Sequence, residues 1–223
     1  MSKKVLIIVS NAHEIGPNDR KTGVFLDEAA HPYVEFNNAG YQVDFASLTG
    51  EVPSLDGMEG KDEPANAAFL NGEGWEKMQH NTKLADVDVS SYDAIFVSGG
   101  LAPMVDMPEH PLLKKVIAET YERGAIVGAV CHGPVSLLNV RLNDGSLLVK
   151  DKNLTSFTTE EEANYASADV PFDLQTALTE QGANFHAGTA WASNSIIDGN
   201  LVTGQNPGSA GETARNVISL LEA

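Results

Sequence analysis

Gly124-Ala125-Ile126-Val127-Gly128-Ala129-Val130 runs without a polar side chain into Cys131-His132-Gly133-Pro134. An apolar run that ends in a nucleophilic side chain, followed by small residues and a proline, predicts strand, sharp turn and helix. Such a turn lifts one side chain above the carboxyl end of a sheet and sets it at a helix N-terminus. Cys131 is the only cysteine of the chain. An aligned helix dipole with free N–H groups favours the thiolate, which predicts a Cys131 pKa well below that of a free thiol. The competing reading of a lone cysteine is a small buried hydrophobe.

Outward from this turn, apolar runs alternate with helical patterns. Residues 4–10 form a continuous apolar run, as expected of a strand covered on both faces. A polar loop is expected over 11–21, a helix over 24–38 closed by Gly40, and a second strand over 41–47. Residues 49–90, broken by Pro53, Pro64, Gly72 and Gly74, are too long for a plain loop and read as a cap or lid insertion with a helix near 75–84. A third strand, 93–97, ends in Ser98-Gly99-Gly100, and a helix over 109–123 leads back to the Cys131 strand. Further on come a strand over 153–157, a helix over 173–181, a hairpin over 195–203 with Asp198-Gly199 at its turn, and a closing helix over 213–221. Strands alternating with helices imply a three-layer α/β/α sandwich around a mostly parallel sheet.

The 223 residues, 42% of them hydrophobic, suffice for one sizeable core, and no linker divides residues 1–223, so one domain is expected. A net charge of −17 argues against nucleic acid and anionic membranes as partners, while a small neutral substrate is indifferent to it. One cysteine excludes an internal disulfide and a cysteine-cluster zinc site. No cleavable leader pattern and no apolar stretch of about 20 residues is present, so a cytoplasmic location is expected.

In open α/β sheets, sites form beyond the carboxyl ends of the strands. Gly99 and Gly100 there let backbone amides approach a ligand, as an oxyanion hole completed beside Cys131 requires; an ordinary strand-ending turn would look the same. Glu28 stands among apolar neighbours, and Pro32 four residues later cannot donate to its carbonyl. A carboxylate in such surroundings has a raised pKa and can relay a proton near neutrality; a surface glutamate near a helix start is the alternative. His132 is a candidate base. Glu160, Glu161 and Glu162 read by default as a solvated helix start. His13 and His186 read as structural or exposed, and His31 as lining the site or packing. Asn206-Pro207-Gly208-Ser209 reads as a loop capping the last helix.

Taken together, Thr22-Gly23-Val24-Phe25 with Glu28 and His31-Pro32, Gly99-Gly100, Ala129-Val130-Cys131-His132-Gly133-Pro134 and Leu201-Val202-Thr203-Gly204-Gln205-Asn206-Pro207 resemble the PfpI-type superfamily, within the class I glutamine-amidotransferase-like fold. The Glu28 and His31-Pro32 combination resembles its branch of heat-shock chaperones and glutathione-independent glyoxalases (glyoxalase III). The resemblance implies Cys131 as nucleophile, His132 as its base, Glu28 as the carboxyl hydrogen-bonded to the thiol, and Glu162, with Glu161 as fallback, as the third triad member. It also implies a homodimer, and a reaction that takes 2-oxoaldehydes such as methylglyoxal to 2-hydroxy acids without metal, glutathione or nucleotide. One departure stands out. The branch usually follows its two glycines with His-Gly and an aromatic residue, whereas this chain has Leu101-Ala102-Pro103-Met104-Val105-Asp106, which suggests a more apolar pocket wall. A glutaminase needs a late His-x-Glu, and His186-Ala187-Gly188 does not supply it. A stress chaperone or cysteine redox sensor, an intracellular peptidase or amidase, and deglycation by the same thiol are the other readings.

Overall fold

The computed structural model describes residues 2–223. Seven strands form the main sheet: β1 (Lys4–Val9), β2 (Gln42–Ser47), β3 (Thr82–Lys83), β4 (Ala94–Val97), β5 (Ile126–Val130), β6 (Ser195–Asp198) and β7 (Leu201–Gly204). Their spatial order is β6-β7-β5-β4-β1-β2-β3, and every neighbouring pair is parallel except the β6–β7 hairpin. Besides the single helical turn Pro103–Asp106, the α-helices of the described residues are α1 (Leu26–Asn38), α2 (Pro64–Leu70), α3 (Glu73–Gln79), α4 (Pro111–Glu122), α5 (Thr159–Ala163), α6 (Leu174–Glu180) and α7 (Ala210–Glu222).

The central strands are apolar throughout because both faces are covered. Val5, Ile7 and Val9 of β1 join Phe96 and Val130 in a core with α1, α2, α3 and α7. Leu6 and Ile8 point the other way, with Ile95, Val97 and Val127, against α4 and α6. This two-faced burial is the physical reason for runs without alternation, and it makes the fold an α/β sandwich with a mostly parallel sheet.

Several local expectations are revised. The polar stretch after β1 contains a short antiparallel pair, Glu14–Ile15 with Arg20–Lys21. Val24–Phe25 is extended and pairs with Leu55–Asp56, so α1 begins at Leu26. The helix expected near 75–84 is α3, and the chain then joins the sheet edge as β3. Strand geometry near 153–157 is confined to Asn153–Leu154. In the hairpin, Asp198 is the last strand residue, paired with Leu201, and Gly199 supplies the positive φ at +60°. Within 49–90, α2 packs on α1 and α3 packs on α2 and β2, while Asp56 and Glu59 reach the cavity beside Cys131.

Candidate active site

Cys131 leaves β5 with φ at +60°, a conformation that strains any residue with a side chain. Two backbone bonds hold it there: its N–H donates to Gly204 O of β7 at 2.9 Å, and its carbonyl accepts from Phe157 N at 2.9 Å. The chain continues as a five-residue 3₁₀ helix, Gly133–Leu137, and Leu138 beyond it is extended. No α-helix begins at the thiol, so the dipole behind the expected low pKa is missing. Burial pushes the Cys131 thiol well above its ordinary value, and the Glu28 carboxyl beside it pushes the same way. The N–H groups of Gly100 and His132 face the sulfur and oppose this in part.

His132 packs its ring against Phe157, with centroids 4.5 Å apart, and is fully buried. Its Nδ1 lies 3.3 Å from Cys131 Sγ, and its Nε2 lies 2.7 Å from Glu162 Oε2. A carboxylate can only accept, so Nε2 carries the hydrogen and Nδ1 is left as a base turned to the sulfur. The neighbouring Glu161 faces elsewhere. It closes a capping box with Thr158 at the start of α5. Its other oxygen accepts from Trp191 N at 2.7 Å, Asn206 Nδ2 at 2.8 Å and Gln205 Nε2 at 3.1 Å. The acidic run is therefore no solvated helix start: only Glu160 is exposed. Asn206 caps the 3₁₀ helix Pro207–Ser209 in addition to bonding Glu161, and α7 begins at Ala210.

Glu28 sits in the first turn of α1, fully buried. Loss of water raises its pKa to about 8, against the smaller opposing effects of the Cys131 thiol and the Gly99 and Gly100 amides. Among the described residues no donor meets either carboxyl oxygen at ordinary hydrogen-bond geometry, so those neighbours ease its ionisation without satisfying it. The carboxyl thus carries its proton at neutral pH and can donate it. Gly99 makes the approach possible: a Cβ there would stand 2.3 Å from Glu28 Oε2. Gly100 has φ at +87°, and a Cβ on it would stand 2.3 Å from Gly23 O.

Gly100, Cys131 and His132 line a cavity of about 310 Å³. Its walls are Phe25, Phe157, Tyr165 and Trp191, with Arg20, Asp56 and Glu59 also lining it. Phe157, Tyr165 and Trp191 meet edge to face, with centroids 5.5–6.2 Å apart. Arg20 stacks over Tyr165 at 4.7 Å and pairs with Asp169 at 3.0 Å. Arg20, Tyr165 and Trp191 are not among the residues expected at the site from the sequence. They lie in short or irregular segments where periodicity carries no signal.

Residues 101–105 do not wall this cavity. Leu101 and Met104 are buried in the core, and Val105 faces a separate hollow beyond Asp169. Asp106 instead accepts from Ser10 Oγ at 2.7 Å, Asn11 N at 2.9 Å and Ala12 N at 3.2 Å, which holds the turn after β1. That second hollow, about 630 Å³, is larger but contains no nucleophile or histidine. The three other histidines weighed from the sequence are peripheral: His13 is exposed, His31 pairs with Glu63 at 3.2 Å, and His186 meets Asn153 at 2.9 Å. Among the described residues no group of three or more His, Cys, Asp or Glu could hold a metal ion, and no helix is long and apolar enough to cross a membrane.

Comparison with known proteins agrees with this architecture. Glyoxalase 3 of Candida albicans is 33% identical, with 98% of each chain covered. The glutathione-independent glyoxalase HSP31 of Saccharomyces cerevisiae is also 33% identical, covering 99% of this chain and 98% of that protein. The crystal structure of glyoxalase III from Candida albicans superposes with a TM-score of 0.88 at 30% identity, covering 97% of this chain and 96% of that one. The DJ-1/PfpI family model matches residues 22–220. With nearly the whole chain matched at that level, this protein belongs to the DJ-1/PfpI family.

Proposed function

We propose that this chain is a glutathione-independent glyoxalase of the glyoxalase III type, which converts 2-oxoaldehydes such as methylglyoxal to 2-hydroxy acids with Cys131 as nucleophile. The observation that carries the reading is the buried relay from Cys131 Sγ through His132 to Glu162 at the floor of the aromatic cavity. Full-length similarity to proteins named glyoxalases supports it.

The thiol is buried and its pKa is high, so it loses its proton as it attacks rather than before. His132 Nδ1 takes that proton while Sγ bonds to the aldehyde carbon, C1. The N–H groups of Gly100 and His132, already turned to the sulfur, hold the oxygen that becomes negative. Glu162 steadies the imidazolium. Return of the proton to that oxygen gives a hemithioacetal. Two proton carriers then flank one carbon: the His132 ring takes the C1 proton, and the protonated Glu28 gives its own to the C2 oxygen. The result is an enediol. Reprotonation at C2 and loss of the C1 hydroxyl proton give a thioester, which water hydrolyses to the 2-hydroxy acid and free Cys131. Every step uses side chains of this chain, the substrate and water; the net reaction adds one water to methylglyoxal and forms lactate.

The test is lactate formation from methylglyoxal without glutathione, with wild-type protein against Cys131→Ser. Turnover by the wild type and none by the variant supports the reading, and equal rates from both contradict it.

A further inference from the structure

We propose that Ser98 is a positioning residue for this reaction: its hydroxyl replaces the backbone donor that Pro32 removes from the first turn of α1, and so fixes Glu28 against Cys131. The inference rests on the role given to Glu28 above.

In a regular helix the carbonyl of Glu28 accepts from the N–H of residue 32. Residue 32 is proline, inside α1, so that donor is absent and the ring crowds the orphaned carbonyl. Glu28 is fully buried, so water does not reach its carbonyl, and a buried carbonyl without a partner is strongly disfavoured. Ser98 supplies the bond: its Oγ donates to Glu28 O at 2.9 Å across seventy residues of sequence. Ser98 is itself fully buried, and its own N–H is committed to Ile8 O at 3.1 Å, which anchors it to the sheet.

The position of this bond gives it chemical consequence. Ser98 directly precedes Gly99, whose lack of a side chain leaves room for the Glu28 carboxyl, and Gly100, whose N–H faces the Cys131 sulfur. One hydroxyl therefore ties the segment that supplies the oxyanion amide to the residue that supplies the acid. The groups around Glu28 that titrate are Cys131, Asp27 and, further out, Tyr165; His132 faces Cys131 from the other chain segment. None of these bonds the Glu28 main chain. The strand pairing of Val24–Phe25 and the burial of Leu26 hold the start of α1, and the Ser98 bond ties the Glu28 main chain directly to the Gly99–Gly100 segment.

The experiment is a four-way comparison of wild type, Ser98→Ala, Pro32→Ala and the double variant. It reads lactate formation from methylglyoxal and the pH dependence of Cys131 alkylation by iodoacetamide. Ser98→Ala should lower kcat by about 10- to 10²-fold, the usual cost of a displacement of the order of 1 Å at a reacting group, and should move the inflection of the alkylation profile. Pro32→Ala alone should leave both unchanged. The double variant should recover most of the wild-type kcat and inflection, because residue 32 then offers an N–H to the Glu28 carbonyl. A Ser98→Ala protein with wild-type kcat and inflection overturns the proposal, as does a double variant no better than Ser98→Ala. If Ser98→Ala does not fold, the double variant decides: a wild-type inflection supports the proposal, and a shifted inflection or failure to fold overturns it. If the wild type forms no lactate, the glyoxalase reading fails, while the alkylation profiles still test the role of Ser98.

Discussion

Glu162 Oε2 lies 2.7 Å from His132 Nε2, and Glu161, one residue earlier on the same helix turn, makes no contact with the imidazole. Successive residues on a helix point about 100° apart, so only one of the two carboxylates can face His132. The other is drawn into the loops that carry Trp191 and Asn206. Glu162→Gln keeps the shape but removes the charge opposite the imidazolium that forms as Cys131 attacks. It should lower kcat for methylglyoxal by about 10²-fold with little change in KM, as read by lactate formation.

Burial of Glu28 ties stability to pH. Its pKa is about 8 in the folded protein against 4.5 when exposed, so the folded state holds more protons between these values. The stability associated with that proton is fully present below about pH 4.5 and is lost as pH rises towards 8, at up to about 1.4 kcal/mol per pH unit. Glu28→Gln has no proton to lose. Urea unfolding should show the wild type less stable at pH 8 than at pH 5, with Glu28→Gln losing several-fold less over the same interval.

The Cys131 thiol is held high by burial and by Glu28. Iodoacetamide alkylation should therefore rise above the range of an ordinary thiol, about pH 8.5, and not near neutrality. Glu28→Gln removes the negative charge that forms beside the sulfur at alkaline pH and should bring the inflection down. An inflection below about pH 7 in the wild type would show that the Gly100 and His132 amides outweigh burial.

Trp191 is 51% exposed, has φ at +64°, and stands edge-on to Phe157 at the Cys131 cavity. Its main chain is fixed by Glu161, so the indole is a preset wall. The cavity, about 310 Å³, is at the lower end of sizes that hold drug-like ligands, well beyond the five heavy atoms of methylglyoxal. Trp191→Ala should raise KM for phenylglyoxal about 3- to 10-fold, the worth of one aromatic contact, with a smaller effect on methylglyoxal.

Much of this architecture is legible in the chain because its signals are local. β1 and β5 are apolar on both faces, and that alone marks buried parallel strands. The turn at Cys131 is written in Cys-His-Gly-Pro, and the irregularity at Glu28 in Pro32. Features that depend on distant segments are not legible in this way. The thiol pKa comes from the burial of Cys131 and its proximity to Glu28, and the helix expected after Cys131 is only a 3₁₀ turn. Residues 101–105 look like a pocket wall by their place after Gly100, but Leu101 and Met104 turn into the core. Arg20, Tyr165 and Trp191 meet across some 170 residues through a cation–π stack and an edge-to-face ring contact that no spacing encodes.

If Cys131 is the nucleophile, it must carry substrate covalently during turnover. Mass spectrometry of protein mixed with methylglyoxal and quenched within one turnover reads that state, alongside lactate release in wild type and Cys131→Ser. A transient adduct of one methylglyoxal on Cys131 is expected, disappearing as lactate forms, with neither adduct nor lactate from the variant. Lactate from the wild type with no adduct on Cys131, or undiminished lactate from Cys131→Ser, would contradict it.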